Sequence, residues 1–176
     1  MPAPMPTDEA DRLADLHDLN ILDQPPPPAV QRLVDLTCDL FDAPIAAVSL
    51  IAADREQLLA RRGPIPRERP RDAALALHAL ESPAAYVASD ARLDPRLLSN
   101  PLVAGPMAVR FYAGAPILLA SGAAIGALVV LDTRPRAPTV GTRPLAGPRH
   151  HGPPRKRPHC RHHQRQHVHV DGHLQG

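Results

Sequence analysis

Apolar positions along the chain follow a helical spacing first and a strand-like spacing afterwards. Residues 8–22 and 29–41 each carry their leucines and valines roughly on one helical stripe, so both segments are predicted to be helices. The prolines at 25–28 separate them, because proline lacks the N–H that a helix interior requires. Residues 44–53 form a short run rich in valine and isoleucine that predicts a buried strand, and residues 56–62 are its expected hairpin partner.

The longest apolar stretch lies between residues 109 and 131. It predicts a second hairpin with arms at 109–119 and 123–131, and both arms are so apolar that we expect them inside a sheet. Pro116 lies in the first arm and cannot donate to a strand ladder, so we expect a bulge near it.

Short elements are predicted between the two hairpins. We expect a loop at 63–70, a short helix at 73–80, a short strand at 85–89 and one helical turn near 96–99. Two helices, a hairpin, a mixed connection and a second hairpin indicate an α+β fold. In it, a central antiparallel sheet of five or six strands is flanked by helices.

Charge divides the chain into two regions. Residues 1–140 contain 13 arginines against 17 acidic residues, whereas residues 141–176 contain seven basic residues against Asp171 alone. The second region is rich in histidine and proline and has no periodicity. We therefore expect one domain at 8–138 between disordered segments at 1–7 and 139–176. The composition of the last segment is also what a shifted reading frame of a GC-rich gene yields, which is a hypothesis about its origin.

Composition argues against several classes of function. No apolar run is long enough to span a membrane, and the acidic, proline-rich beginning lacks the features of a signal peptide, so we expect a cytoplasmic protein without a membrane partner. Cys160 and the histidines around it could bind zinc, but their spacing matches no structural zinc motif. The basic residues there lack interleaved aromatic residues. We therefore expect neither a metal site nor a specific nucleic-acid partner.

Several blocks, in order along the chain, resemble the GAF domain of bacterial signalling proteins. They are LNILDQPPPPAVQRLV, FDAPIAAVSLIAADREQLLARRG, HAL…VASDARLDPRLLSNPLVAGP and RFYAGAPI…G…IGALVVLDTRPR, within residues 11–136. The resemblance implies a GAF-like sheet, although the long helix that closes such domains is missing from the sequence after residue 138. It also implies a non-catalytic sensory or ligand-binding module, usually joined to a histidine kinase or a diguanylate cyclase. On this basis we expect no enzyme and no cofactor.

The resemblance also indicates where a ligand could bind. Residues 90–96 match the loop that covers one face of the sheet in the family, and polar residues near it could line a small pocket. The candidates for ligand binding are His78, Asp90, Arg92, Arg110, Tyr112 and Asp132. The alternative is that these residues cap turns, form surface ion pairs or, for His78, make a local hydrogen bond. No catalytic or metal-binding residue is predicted.

Two other functions are weighed against the sensory module. One is a protein-interaction module without a ligand. The other is an enzyme similar to the methionine sulfoxide reductases of this fold, but Leu75 and Ala76 occupy the positions of a Phe–Cys pair usual in the family, and Cys38 is expected to be a packing residue. The expected partners are an unknown small molecule, a signalling output domain or protein, and a second copy of the chain. We expect the homodimer because the two helical stripes exceed what one sheet face needs.

Overall fold

The computed structural model describes residues 9–137. Within that range the chain forms four helices, six strands and one short 3-10 turn at Arg71–Ala73. The helices are α1 (Glu9–Asp18), α2 (Pro28–Phe41), α3 (Leu77–Leu80) and α4 (Pro101–Ala104). The strands are β1 (Ile45–Ile51), β2 (Arg55–Arg62), β3 (Glu68–Pro70), β4 (Tyr86–Ala88), β5 (Phe111–Leu118) and β6 (Ala124–Asp132).

The six strands form one sheet in the order β3-β2-β1-β6-β5-β4, and every neighbouring pair is antiparallel. The predicted α+β fold with a central antiparallel sheet is therefore confirmed. The second predicted hairpin is β5–β6, and β6 lies between β5 and β1 inside the sheet. The register of the β5–β6 pair shifts between Ile117 and Leu118. This is one residue beyond Pro116, near which a bulge was expected.

The helices α1 and α2 cover one face of the sheet, which we call the helix-covered face. Leu16 of α1 and Val34 and Cys38 of α2 are buried there against apolar side chains of the strands. The helix α2 begins with a proline, whose fixed φ suits the first helical turn, and its C-terminal cap is Asp42 in a left-handed conformation. Burial raises the pKa of the Cys38 thiol, as expected of a cysteine that packs in a core.

The opposite face of the sheet is covered by α3, α4 and the loop at 89–100, and we call it the loop-covered face. Its core contains large buried side chains from both layers, among them Leu58, Leu75, Leu97, Tyr112 and Val129. Residues of the helix-covered face and residues of the loop-covered face alternate along each strand, because successive side chains of a strand point to opposite sides.

Two short elements differ from the sequence predictions. Residues 68–70 were expected to be a loop but form the edge strand β3 against β2, and Pro70 is tolerated at such an edge. The helical turn expected near 96–99 is followed by α4, whose first turn is capped by Asn100. The Asn100 side chain accepts a hydrogen bond from the Leu102 N–H at 2.9 Å and donates one to the Ala73 carbonyl at 3.0 Å.

Three predictions lie outside the described residues. They are the disordered segments at 1–7 and 139–176 and the loss of the closing helix after residue 138. Within residues 9–137, none of the helices combines the length and the apolar character that crossing a membrane demands.

Candidate functional site

The loop-covered face contains a buried polar atom without a partner. Tyr112 lies on β5, between β4 and β6, and its side chain is fully buried. Among the described residues, no group forms a hydrogen bond with its hydroxyl. A buried hydroxyl nearly always has a partner, so this one is a candidate hydrogen-bonding group on the loop-covered face.

A row of aromatic rings leads from Tyr112 towards the surface. The Tyr86 ring on β4 lies 5.6 Å from the Tyr112 ring, and the His78 ring on α3 lies 6.0 Å from the Tyr86 ring. Tyr86 donates a hydrogen bond to Asp94, and the Arg96 guanidinium lies 4.1 Å from the centre of the Tyr86 ring. The loop at 89–100 therefore holds the Tyr86 ring beside the Tyr112 ring.

A buried ion pair lies on the same face at the other end of the sheet. Glu56 of β2 is 1% exposed and Arg69 of β3 is 9% exposed, and the Arg69 Nε donates to the Glu56 carboxylate. The Ser49 hydroxyl donates to the other carboxylate oxygen at 2.5 Å. The Arg69 Nη1 is buried without a partner in the described part of the chain. The pair thus has a spare donor in a region from which water is largely excluded.

The electrostatics of the two tyrosines follow from burial. Desolvation raises the pKa of Tyr112, and the negative charge of Glu56 raises it further. Desolvation and the hydrogen bond to Asp94 raise the pKa of Tyr86. Burial alone would raise the pKa of Asp94, but the hydrogen bonds from Tyr86 and Arg96 outweigh it and lower that pKa. Both tyrosines are therefore neutral hydroxyl groups at physiological pH.

Three of the six predicted site residues lie near the loop-covered face but form local pairs. His78 lies with its Nδ1 3.2 Å from Glu81 one turn further along the chain. Asp90 accepts two hydrogen bonds from Arg110, one of them 2.7 Å from the Arg110 Nε. This pairing lowers the pKa of Asp90 to about 2.

The other three predicted residues lie apart from one another. Tyr112 is the buried residue described above. The Arg92 side chain is exposed, its backbone N–H donates to Asp90 at 3.2 Å, and its charge helps to lower the pKa of that carboxyl. Asp132 lies opposite Phe111 on the helix-covered face, where it pairs with Arg136. The six residues therefore do not line one common pocket, and a ligand-binding role for any of them stays a prediction.

Sequence reasoning missed the buried ion pair of Glu56 and Arg69 on the loop-covered face. Glu56 lies in the segment REQLLARR, whose first half resembles an exposed hairpin arm. The register of the β1–β2 hairpin is the signal that could have identified it. Glu56 lies directly opposite the buried Ile51 and must therefore also point into the core. No local signal identifies Arg69, since it was placed in a loop rather than in β3.

A second concavity lies where α2, β1 and β6 end. This groove of about 780 Å³ is lined by charged residues from these ends and by Cys38. Four of its charged side chains pair with one another, Arg62 with Asp39 and Arg136 with Asp132. Within residues 9–137, no cluster of three or more potential metal ligands is present.

The fold and the sequence together assign the family. Residues 26–143 match the GAF domain family, and the chain belongs to it. It is thus a sensory module.

Comparison with known proteins adds more specific similarities. The chain is 34% identical over 135 residues to a cyclic di-GMP phosphodiesterase of Pseudomonas aeruginosa. The aligned residues cover 77% of this chain and 23% of that protein. It also resembles the GAF domain of a phosphoenolpyruvate-protein phosphotransferase from Coxiella burnetii, with a TM-score of 0.50 and 17% identity, over 70% of this chain and 77% of that one. The free methionine-R-sulfoxide reductase of Neisseria meningitidis has a TM-score of 0.50 and 15% identity, over 77% of this chain and 83% of that one. At these identities the two structures show the fold alone.

One expectation from the sequence is wrong. We expected no enzyme, but the relative from P. aeruginosa is named as a phosphodiesterase and points to an enzyme family. The chain spans about a quarter of the length of this relative.

Proposed function

We propose that this chain is the sensory domain of a cyclic di-GMP phosphodiesterase and that a small polar molecule bound on the loop-covered face regulates hydrolysis. The similarity to the P. aeruginosa enzyme supports the link to cyclic di-GMP. The unpartnered, fully buried hydroxyl of Tyr112 is the observation that carries the ligand site.

The ligand must supply a hydrogen-bonding group to Tyr112. A neutral tyrosine hydroxyl can both donate and accept, so an amide, a carbonyl or a carboxylate oxygen would satisfy it. The ligand would displace Tyr86 from its position over Tyr112 and so release Asp94 and Arg96, which now hold that ring. Binding would therefore change the loop at 89–100.

A continuous chain of contacts joins this loop to the point where the described structure ends. Asp90 pairs with Arg110, and the Arg110 N–H donates to the Asp132 carbonyl at 2.8 Å. Asp132 in turn pairs with Arg136, whose N–H donates to the Ser89 carbonyl at 2.9 Å.

Arg136 also reaches the helix-covered side. Its Nη1 and Nη2 donate to the carbonyls of Phe41 and Asp42 at 2.6 Å each, at the C-terminal end of α2. These contacts are the route by which we expect a change in the loop to reach α2 and the residues after Ala137. Contact alone does not establish coupling, so the route is tested separately.

The ligand site is tested by a thermal-shift screen of the full chain against nucleotides, amino acids and small metabolites. We expect at least one compound to raise the melting temperature, since a ligand that binds only the folded state stabilises it. The same compound should have little effect on Tyr112→Phe, which removes one oxygen atom and keeps the ring. Asp18→Asn is the matched control, because Asp18 is exposed on α1, which covers the face of the sheet opposite Tyr112.

Two outcomes would contradict the proposal. If no compound stabilises the chain, a protein-interaction module without a ligand is favoured. If a compound stabilises the wild type and Tyr112→Phe equally, a ligand binds but not at the proposed hydroxyl.

A further inference from the structure

The N-terminal helix α1 places an arginine against the sheet. Arg12 and Leu16 are the two buried residues of α1, and they lie one turn apart, so both face the helix-covered side of the sheet. The Arg12 side chain is only 2% exposed. A buried charge is costly unless other groups compensate it, so the partners of Arg12 decide what this part of the fold can bind.

Glu9 pairs with Arg12 and is shared with a second arginine. The Arg12 Nε and Nη2 donate to the two Glu9 carboxylate oxygens at 2.8 Å each. The Arg71 Nη1 donates to one of these same oxygens at 2.7 Å and to the Ala52 carbonyl at 2.8 Å. The hydrogen bond from Arg12 is the largest cause that lowers the pKa of Glu9 to about 2, so Glu9 is ionised at neutral pH. One carboxylate therefore binds two guanidinium groups.

A third arginine lies at the same end of the sheet. Arg55 begins β2, and its carbonyl accepts a hydrogen bond at 2.9 Å from the N–H of Ala52, the residue that Arg71 also contacts. The Arg55 Nη2 donates to both carboxylate oxygens of Asp23, at 2.9 and 2.8 Å. In these pairs, three guanidinium groups meet two carboxylates around the turn from β1 to β2.

Two of these arginines have donors left over. The Arg12 Nη1 and the Arg55 Nε are buried, and neither has a hydrogen-bond partner among the described residues. An N–H that is buried without an acceptor is costly, and more so when it belongs to a charged group. This end of the sheet therefore combines more positive than negative charge with donors that lack an acceptor.

We propose that Arg12, Arg55 and Arg71 form a binding site for a phosphate-type oxyanion between α1 and the turn from β1 to β2. Such an ion supplies a negative charge and several acceptor oxygens, whereas a water molecule supplies an acceptor without the charge. The planar guanidinium group matches the geometry of phosphate oxygens. The site lies on the face of the sheet opposite Tyr112, so it is independent of the ligand proposed above.

The bound oxyanion fastens α1 to the sheet. The helix buries one apolar side chain, Leu16, so its attachment depends largely on polar contacts such as Glu9 with Arg71 and Asp15 with Ser121. An ion between Arg12 on the helix and the arginines at the β1–β2 turn adds to these contacts. The concentration of the ion thus sets how firmly the N-terminal helix is held.

Isothermal titration calorimetry of the full chain with inorganic phosphate tests the site. Sodium chloride keeps the ionic strength constant, and calorimetry is preferred because phosphate also raises melting temperatures by its exclusion from protein surfaces. The wild type should bind one phosphate per chain in a saturable manner. Arg71→Gln should weaken binding about tenfold or more, because it removes a charged donor. Arg62→Gln is the matched control, since Arg62 also pairs with a carboxylate but lies at the other end of β2.

Glu9→Gln distinguishes a binding site from a purely structural ion-pair cluster. The substitution removes the carboxylate that competes with the ligand and keeps the size of the side chain. Phosphate should therefore bind at least about threefold more tightly than to the wild type. Loss of a structural ion pair alone would not raise the affinity for an anion. Circular dichroism shows whether each variant is folded, and the wild type and Glu9→Gln suffice if Arg71→Gln is not.

Two further titrations identify the source of the oxyanion. Binding of glycerol 3-phosphate as tightly as inorganic phosphate would support the site as one for phosphate esters. Binding of phosphate and sulfate alone would support it as a site for the free ion.

Three results would overturn the proposal. A wild type that shows no saturable binding of any of these anions has no oxyanion site. Equal affinities of Arg71→Gln and Arg62→Gln would place the bound ion elsewhere. A Glu9→Gln variant that binds phosphate no more tightly than the wild type would show that the ion does not lie beside Glu9.

Discussion

The hydroxyl of Tyr112 occupies the space that a side chain on Gly114 would need. A Cβ built at Gly114 would lie 2.2 Å from the Tyr112 hydroxyl and 3.1 Å from the Cβ of Ala79. The tyrosine thus lies flat along its own strand beneath α3, and the glycine two residues further on allows it to do so.

Gly114→Ala should therefore destabilise the domain. The added methyl group forces Tyr112 or α3 to move, and overpacking of this kind costs about 1–3 kcal/mol. Chemical denaturation of both proteins measures the difference in the free energy of unfolding. In a Tyr112→Ala background the same substitution should cost much less, and an equal cost in the two backgrounds would show that Tyr112 is not the obstacle.

Tyr112→Phe should leave the unliganded protein as stable as the wild type or make it more stable. The hydroxyl is buried without a partner, and such a group costs about 1–3 kcal/mol in the folded state. The measurement is again the free energy of unfolding. A clear loss of stability on removing the hydroxyl would mean that it already has a partner, and the argument for a ligand site would fail.

The buried pair Glu56–Arg69 should respond asymmetrically to substitution. Arg69→Met leaves the Glu56 carboxylate buried without its cation, and breaking a buried pair in this way costs about 3–5 kcal/mol. Glu56→Gln combined with Arg69→Met should be less destabilised than Arg69→Met alone. If the double variant is the less stable of the two, the carboxylate does not depend on Arg69.

The Asp90–Arg110 pair should make stability depend on pH in the acidic range. The pKa of Asp90 falls to about 2 in the folded state, below about 3.9 for an unfolded chain, so the pair stabilises the fold above the higher value. This contribution is lost as the pH falls through about 2. The melting temperature of Asp90→Asn should therefore be lower than that of the wild type near pH 6, and the difference should shrink towards pH 2.

Asp54→Asn is the matched control for this pH profile, because Asp54 is exposed and its carboxylate has no ion pair among the described residues. A difference between the wild type and Asp90→Asn that stays constant from neutral to acidic pH would contradict the assignment.

Periodicity and apolar runs were sufficient to predict the large elements of the fold. The strands β1 and β6 are buried along most of their length, so their sequences are apolar and easy to recognise. The edge strand β3 has three residues and includes Pro70, and its pairing with β2 depends on tertiary contacts that leave no local pattern.

The candidate site was predicted only in part, for the same reason. Tyr112 was among the predicted ligand-binding residues, because polar side chains are few in the apolar hairpin, and its role in binding stays a prediction. The buried pair of Glu56 and Arg69 was not predicted, since it depends on the register of β1, β2 and β3. Asp132 was placed in the same pocket, but the alternation along β6 directs it to the other face.

One enzyme assay directly tests whether a molecule bound near Tyr112 controls cyclic di-GMP hydrolysis, as we propose. The P. aeruginosa phosphodiesterase is prepared with its matching segment replaced by this chain, and its rate of hydrolysis is measured with and without the stabilising compound. We expect the compound to change the rate of this chimaera. The change should disappear in Tyr112→Phe, which loses the ligand contact, and in Arg136→Gln, which breaks the contacts to α2. A rate that is the same with and without bound compound would contradict the proposed control of hydrolysis.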